Sequence, residues 1–108
     1  MPRIASRLFG PAQISNAAAT KITVAANEKY IIRHIHVYNP GAGSVNFTCS
    51  IGADAAGTRL FDAYPIAEDV PLDHFGIYVL EETEIFQAFG SVNNQLVLEI
   101  YGERSVLG

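Results

Sequence analysis

Tyr30-Ile31-Ile32-Arg33-His34-Ile35-His36-Val37-Tyr38, closed by Asn39-Pro40-Gly41-Ala42-Gly43, is the longest run of strand-forming residues in the chain. Ile, Val and Tyr suit a pleated, half-buried surface. Strict alternation places Ile31, Arg33, Ile35 and Val37 on one face, and Tyr30, Ile32, His34, His36 and Tyr38 on the other. Ile35 and Val37 are expected to point into a core. The opposite face also carries large side chains, so it is expected to meet another sheet, a neighbouring subunit or a ligand.

Working outward, Ile22 and Val24 alternate before a short turn at Ala26-Asn27-Glu28, so residues 21 to 38 read as a hairpin. After the turn at Pro40 to Ser44, Val45, Phe47, Cys49 and Ile51 share one face and Asn46, Thr48 and Ser50 the other. This is the cleanest inside/outside alternation in the sequence. Cys49 thus belongs in the core, where a thiol behaves as a small, unreactive hydrophobe. The Gly41-Ala42-Gly43 turn is no phosphate loop, because a strand follows it and not the start of a helix.

Residues 58 to 63 read as strand and Tyr64-Pro65-Ile66-Ala67-Glu68-Asp69 as loop with at most a two-residue edge pairing, since proline cannot donate to a ladder. Val70 to His74 forms a further short strand, separated by Gly76 from Ile77-Tyr78-Val79-Leu80. That segment turns through Glu81-Glu82-Thr83 into a second hairpin ending at Phe89. Gln95 to Tyr101 is the last strand, with Leu96, Leu98 and Ile100 inward. Residues 1 to 20 hold only one apolar patch, Leu8 and Phe9 with Ile14. They read either as an edge strand at Ser6 to Phe9 or as an extended arm docking on a neighbouring copy. The expected fold is all-β, an antiparallel β-sandwich of jelly-roll type with seven to eight short strands. Residues 1–20 form its N-terminal arm and residues 21–108 its single domain.

A chain of 108 residues buries roughly 65% of its unfolded surface and folds without staples. One cysteine excludes an internal disulfide framework, and no Cys/His spacing suggests a structural zinc. A net charge of −4 with scattered Lys and Arg gives no basic stripe for a phosphate backbone, so nucleic acid is not an expected partner. No apolar run spans a membrane, and the N-terminus lacks a secretory signal's hydrophobic stretch, so a protein made and kept inside a cell is expected. With 49% hydrophobic residues and a positive mean hydropathy, the chain holds more apolar material than a small monomer needs. Association is the simplest outlet.

His34 and His36 project from the same side of one strand, close enough to chelate a metal if a third ligand arrives. The sequence places no such ligand, so no metal and no cofactor are expected. Asp62, Glu68, Asp69, Asp73, Glu81 and Glu82 lie near loop ends without the spacing of a calcium loop. No nucleophile elbow or acyl-transfer triad is present, and an enzyme would need a pocket that draws His34, His36 and His74 together. The aromatic residues Tyr30, Tyr38, Tyr64, Phe75, Tyr78, Phe86, Phe89 and Tyr101 exceed what one thin core holds, so some are expected at contacts between copies.

Three segments carry a resemblance: Ala5-Ser6-Arg7-Leu8-Phe9-Gly10-Pro11-Ala12-Gln13, then Ile32-Arg33-His34-Ile35-His36-Val37-Tyr38-Asn39, then Ser50 to Ala63 with its Ser50-Ile51-Gly52-Ala53-Asp54-Ala55-Ala56-Gly57-Thr58 core. Together they resemble small all-β virion proteins of tailed bacteriophages. In that group a hairpin ending in a V-R-x-I-H-V-x-N strand is followed by an S-I-G-x-D-x-A-G-T strand and loop. The resemblance implies a non-enzymatic β-sandwich present in many copies in the virion and made in the host cytoplasm. A capsid decoration protein that cements the shell is the leading expectation; a tail component or a receptor- or carbohydrate-binding head at the tail tip is the alternative. Its partners would be further copies of itself, for example in a trimer, and a major capsid or tail protein. Leu8, Phe9, Ile14, His34, His36 and Tyr38 are the residues expected at those interfaces.

Overall fold

Eight strands follow one another in the computed structural model, which describes residues 3–107. They are β1 (Arg3–Gln13), β2 (Ala19–Thr23), β3 (Glu28–Tyr38), β4 (Val45–Ile51), β5 (Arg59–Ile66), β6 (Pro71–Leu80), β7 (Ile85–Gly90) and β8 (Val97–Val106). Met1, Pro2 and Gly108, which the expected arm and domain include, lie outside the described residues. There is no helix among the described residues.

Every pairing is antiparallel. The strands form two four-stranded sheets, ordered β1-β8-β3-β6 and β2-β7-β4-β5. Alternation builds both inner faces. Ile32, Ile35, Val37, Leu98 and Ile100 of the first sheet join Ile22, Val45, Phe47, Cys49, Phe86 and Ala88 of the second in one buried cluster. Two sheets around a shared core make a sandwich-like protein.

Of the connections, β4–β5 alone joins partners in one sheet; the others cross from sheet to sheet. Two expected hairpins are corrected by this. β2 pairs with β7 and β3 with β6 and β8, so residues 21 to 38 are not a hairpin. β6 and β7 likewise part into different sheets. The turn chemistry was read correctly, since Glu28 N–H donates to the Ala25 carbonyl and Glu84 N–H to the Glu81 carbonyl. Each turn, however, arches over the core edge. The two arches lie side by side, with Val24 N–H donating to the Glu84 carbonyl and Thr83 N–H to the Val24 carbonyl, both at 3.0 Å.

Three further expectations change. Tyr64, Pro65 and Ile66 belong to β5, opposite Phe47, Asn46 and Val45; β5 is an edge strand, where a proline leaves no ladder bond broken. The two strands expected around Gly76 are one, β6. The N-terminal segment pairs along β8 from Arg3 to Gln13, the edge-strand alternative for that stretch, while Leu8 and Phe9 pack against the core.

Asn39 closes one end of the sandwich. Fully buried, its side-chain amide donates to the carbonyls of Gly43 at 2.8 Å and Ile66 at 2.9 Å, and its oxygen accepts from Gly41 N–H and Gln95 Nε2. All four hydrogen-bonding positions are filled, which removes the penalty of burying an amide and ties the β3–β4 turn to the end of β5 and to the loop before β8.

A departure from ideal strand geometry in β3 shapes both faces of its sheet. Ile32 pairs with Gly102 and His34 with Tyr101, so β3 advances two residues while β8 advances one. On the other side Ile32 pairs with Tyr78 and His34 with Phe75, so β6 advances three. Arg33 is the extra residue of a β-bulge against β8. It reverses the face assigned to Ile32, which is buried together with Ile35 and Val37. Gly102 permits the close approach: a Cβ there would fall on the Ile31 carbonyl oxygen and 3.1 Å from Ile32 Cα. Gly102→Ala is therefore expected to lower unfolding stability in urea by about 3 kcal/mol or more. Gly57→Ala, where an added Cβ meets nothing within 4 Å, is expected to change it by less than about 1 kcal/mol.

Candidate functional site

The outer face of the β1-β8-β3-β6 sheet holds the chemistry, and the register of the strands lays it out in rows. Glu99 of β8, His36 of β3 and Asp73 of β6 stand opposite one another; Tyr101, His34 and Phe75 form the adjacent row. Arg7 of β1 stands opposite Tyr101 and extends the second row. Because β3 lies between β8 and β6, both imidazoles are flanked on each side by a positioned neighbour.

Asp73 is the hub of the first row. One carboxylate oxygen, Oδ1, accepts from His34 Nε2 at 2.8 Å and from His36 Nδ1 at 2.6 Å. An ionised carboxylate only accepts, so each ring presents its N–H to Asp73. These two bonds, His36 foremost, hold the Asp73 carboxyl below the usual carboxylate range. All three side chains remain partly open to solvent, at 25%, 27% and 41% for His34, His36 and Asp73.

The second row is an aromatic stack. The His34 ring lies nearly parallel to Phe75, with centroids 4.3 Å apart, and 5.7 Å from Tyr101 on its other side. The Tyr101 hydroxyl donates to Glu99, and that bond raises the phenol's pKa above its ordinary value. Along the same face Tyr38 donates to Asp69 at 2.9 Å, which raises its phenol in the same way. Beyond Phe75, β6 continues outward with Ile77 and Val79, three exposed apolar side chains on an edge strand.

His34, His36 and Tyr38 thus lie together on the sheet face, half-buried. Leu8 and Phe9 lie on β1 against the core, and Ile14 is fully buried within its own chain's core. His74 does not join the other two histidines. It points from β6 toward the inside, where it shares a 2.6 Å hydrogen bond with Tyr78 and packs edge-on to Phe61 at 5.0 Å. Cys49 is buried, and burial pushes its thiol up to about 12. The expected excess of aromatics divides: Phe86 is core, Tyr30 and Tyr78 pack against it, and Phe75 and Tyr64 are exposed.

The loop carboxylates are engaged locally. Asp62 pairs with Arg59 and Glu81 with Lys29. Glu68 accepts from Gly43 N–H, Glu82 from Asn27 N–H and Asp69 from Tyr38. Only Asp73 joins histidines. His34, His36 and Asp73 are the one group among the described residues whose ligand atoms, all within 4.8 Å of one another, could hold a metal ion. Asp73 was invisible as their partner in the sequence because nothing there pairs β3 with β6; its place beside His74 on an alternating strand was the only signal. Among the described residues no pocket opens in the surface, so this chemistry lies on an open sheet face.

No known protein family matches the sequence, and no curated protein matches it either.

The site sets one titration. An Asp73 pKa depressed in the folded state contributes stability above the unfolded value of about 3.9 and loses it as pH falls through the folded value. The Asp73 carboxyl carbon, followed by NMR, is expected to titrate below that value in the native protein and to move back up in His36→Ala. Stability measured across the same acid range is expected to fall less steeply in Asp73→Asn than in the native chain.

Proposed function

We propose that this chain is a non-enzymatic structural protein of a tailed-phage virion, acting as a capsid decoration protein in many copies. The observation that carries the reading is the outer apolar stripe of β6: Phe75 is 71% exposed and Ile77 66%, with Val79 beside them. Left in water, such a stripe lowers solubility; covered by another copy, each of these side chains contributes about 1.5–3 kcal/mol when fully buried. Because β6 is a sheet edge, its unpaired backbone groups offer a neighbour hydrogen bonds as well as apolar area. The His34 ring stacks on Phe75 at the start of the stripe, with the Tyr101 ring behind it, and both partly exposed rings have the mixed character favoured at interfaces.

The resemblance of the β1, β3 and Ser50-to-Ala63 segments to phage virion proteins supplies the particle. The alternation of strands between sheets, with β4–β5 the one connection within a sheet, supports reading the sandwich as a jelly roll. The outer edge of β1, where Ile4 is exposed, is the surface through which the N-terminal segment would act as the expected arm, pairing with a neighbour. Many modest contacts of this kind add through multivalency, the principle of a cementing layer. A net charge of −4 suits an outward-facing position better than contact with the genome.

The reading is tested by the native mass in solution and by the composition of purified particles. The expected result is a multiple of the 11.7 kDa chain, and peptides of the chain in gradient-purified virions. Phe75→Ser combined with Ile77→Ser is expected to lower the mass toward the monomer while the β-type circular dichroism is kept. A native chain that stays monomeric at its highest soluble concentration and is absent from virions would overturn the proposal.

A further inference from the structure

We propose that His34, His36 and Asp73 form a binding site for a single divalent ion of the late first-row transition series, such as Zn²⁺ or Ni²⁺. The donor set is two imidazole nitrogens and one carboxylate oxygen, the combination that favours such ions over Mg²⁺ and Ca²⁺, which take oxygen ligands. The three donor atoms already converge. His34 Nε2 and His36 Nδ1 lie 2.8 and 2.6 Å from the same Asp73 oxygen, and all three atoms fall within 4.8 Å of one another. Ligands about 2.0–2.2 Å from a tetrahedral ion stand roughly 3.3 Å apart. Small rotations of partly exposed side chains therefore suffice to admit it.

The ion takes the place of two protons. Each ring now directs an N–H at Asp73; on binding, that nitrogen's lone pair faces the metal and the proton resides on the other ring nitrogen. A neutral ring thus changes tautomer with no net proton uptake or release. For His36, Glu99 stands directly across on β8, the position from which a cross-strand carboxylate would accept that relocated N–H. A carboxylate behind a ligating imidazole fixes its tautomer and strengthens it as a donor.

The scaffold holds the donors in place before the ion arrives. β3 is paired on both sides, and the His34 ring is stacked between Phe75 and Tyr101. The arrangement also distinguishes the third histidine, since His74 faces the opposite side of β6 and hydrogen bonds to Tyr78. Three protein ligands on an open face leave at least one coordination position for water or an incoming donor. This inference stands on the geometry of one chain and does not require that the protein belong to a virion.

The test is metal titration of the full chain prepared without a histidine tag. Zn²⁺ and Ni²⁺ are followed by calorimetry, and Co²⁺ by its visible absorption, with Mg²⁺ and Ca²⁺ as controls. The expected result is one transition ion per chain, with the His34 and His36 ring resonances shifting in the Zn²⁺ titration. Affinity is expected to fall about tenfold or more in His34→Ala, His36→Ala and Asp73→Asn, and to be unchanged in His74→Gln, with native circular dichroism verified for each variant. Absence of saturable binding would overturn the assignment. So would binding that survives undiminished in His36→Ala and Asp73→Asn, or that is lost in His74→Gln.

Discussion

The close approach of β3 to β8 at Gly102 governs both faces of the β1-β8-β3-β6 sheet. A strand with strict alternation cannot put Ile32, Ile35 and Val37 all inward, because Ile32 has the opposite parity. Keeping the alternation would expose Ile32, forgoing about 1.5–3 kcal/mol of burial. The alternative register would turn His34 and His36 inward, where unpaired polar groups cost about 1–3 kcal/mol each. One extra residue at Arg33 avoids both costs. The bulge needs a position on β8 without a side chain, and Gly102 supplies it. Arg33 turns to solvent and pairs with Glu103 at 3.1 Å.

From that adjustment the outer face follows. His34 and His36 keep the spacing of neighbouring outward positions, Tyr101 and Glu99 meet them from β8, and Phe75 and Asp73 meet them from β6. Two kinds of surface result on one face, a polar row in which a carboxylate joins two imidazoles and an apolar stripe along the edge strand. The first is suited to an ion and the second to another protein surface. Neither requires an enclosed cavity.

Much of the strand content was legible from periodicity. Val45, Phe47 and Cys49 point inward as alternation requires, and so do Leu96, Leu98 and Ile100. Partner choice was not legible. A turn such as Ala25–Glu28 carries the same residues whether its flanking strands pair with each other or cross to opposite sheets. The left-handed residues Asn27 and Thr83 serve two arches where the sequence suggested two hairpins. Proline in β5 misled for a related reason: only an edge position tolerates it, and edges are a property of the assembled sheet. Thr48 and Ser50 were assigned to an outer face yet are buried. The Thr48 hydroxyl accepts from Ala63 N–H at 3.0 Å, where β5 departs from regular pairing. In the site, the pairing of His34 with His36 was legible from their spacing, whereas Asp73, 37 residues from His36, was joined to them only by register.

Cross-strand backbone proton NOEs along β3 test the central claim most directly. The register requires His34 to show contacts to Tyr101 and Phe75, His36 to Glu99 and Asp73, and Ile32 to Gly102 and Tyr78, with Arg33 left between rungs. Contacts joining β3 to residues 19–24 in a hairpin ladder, or an uninterrupted ladder through Arg33, would contradict it.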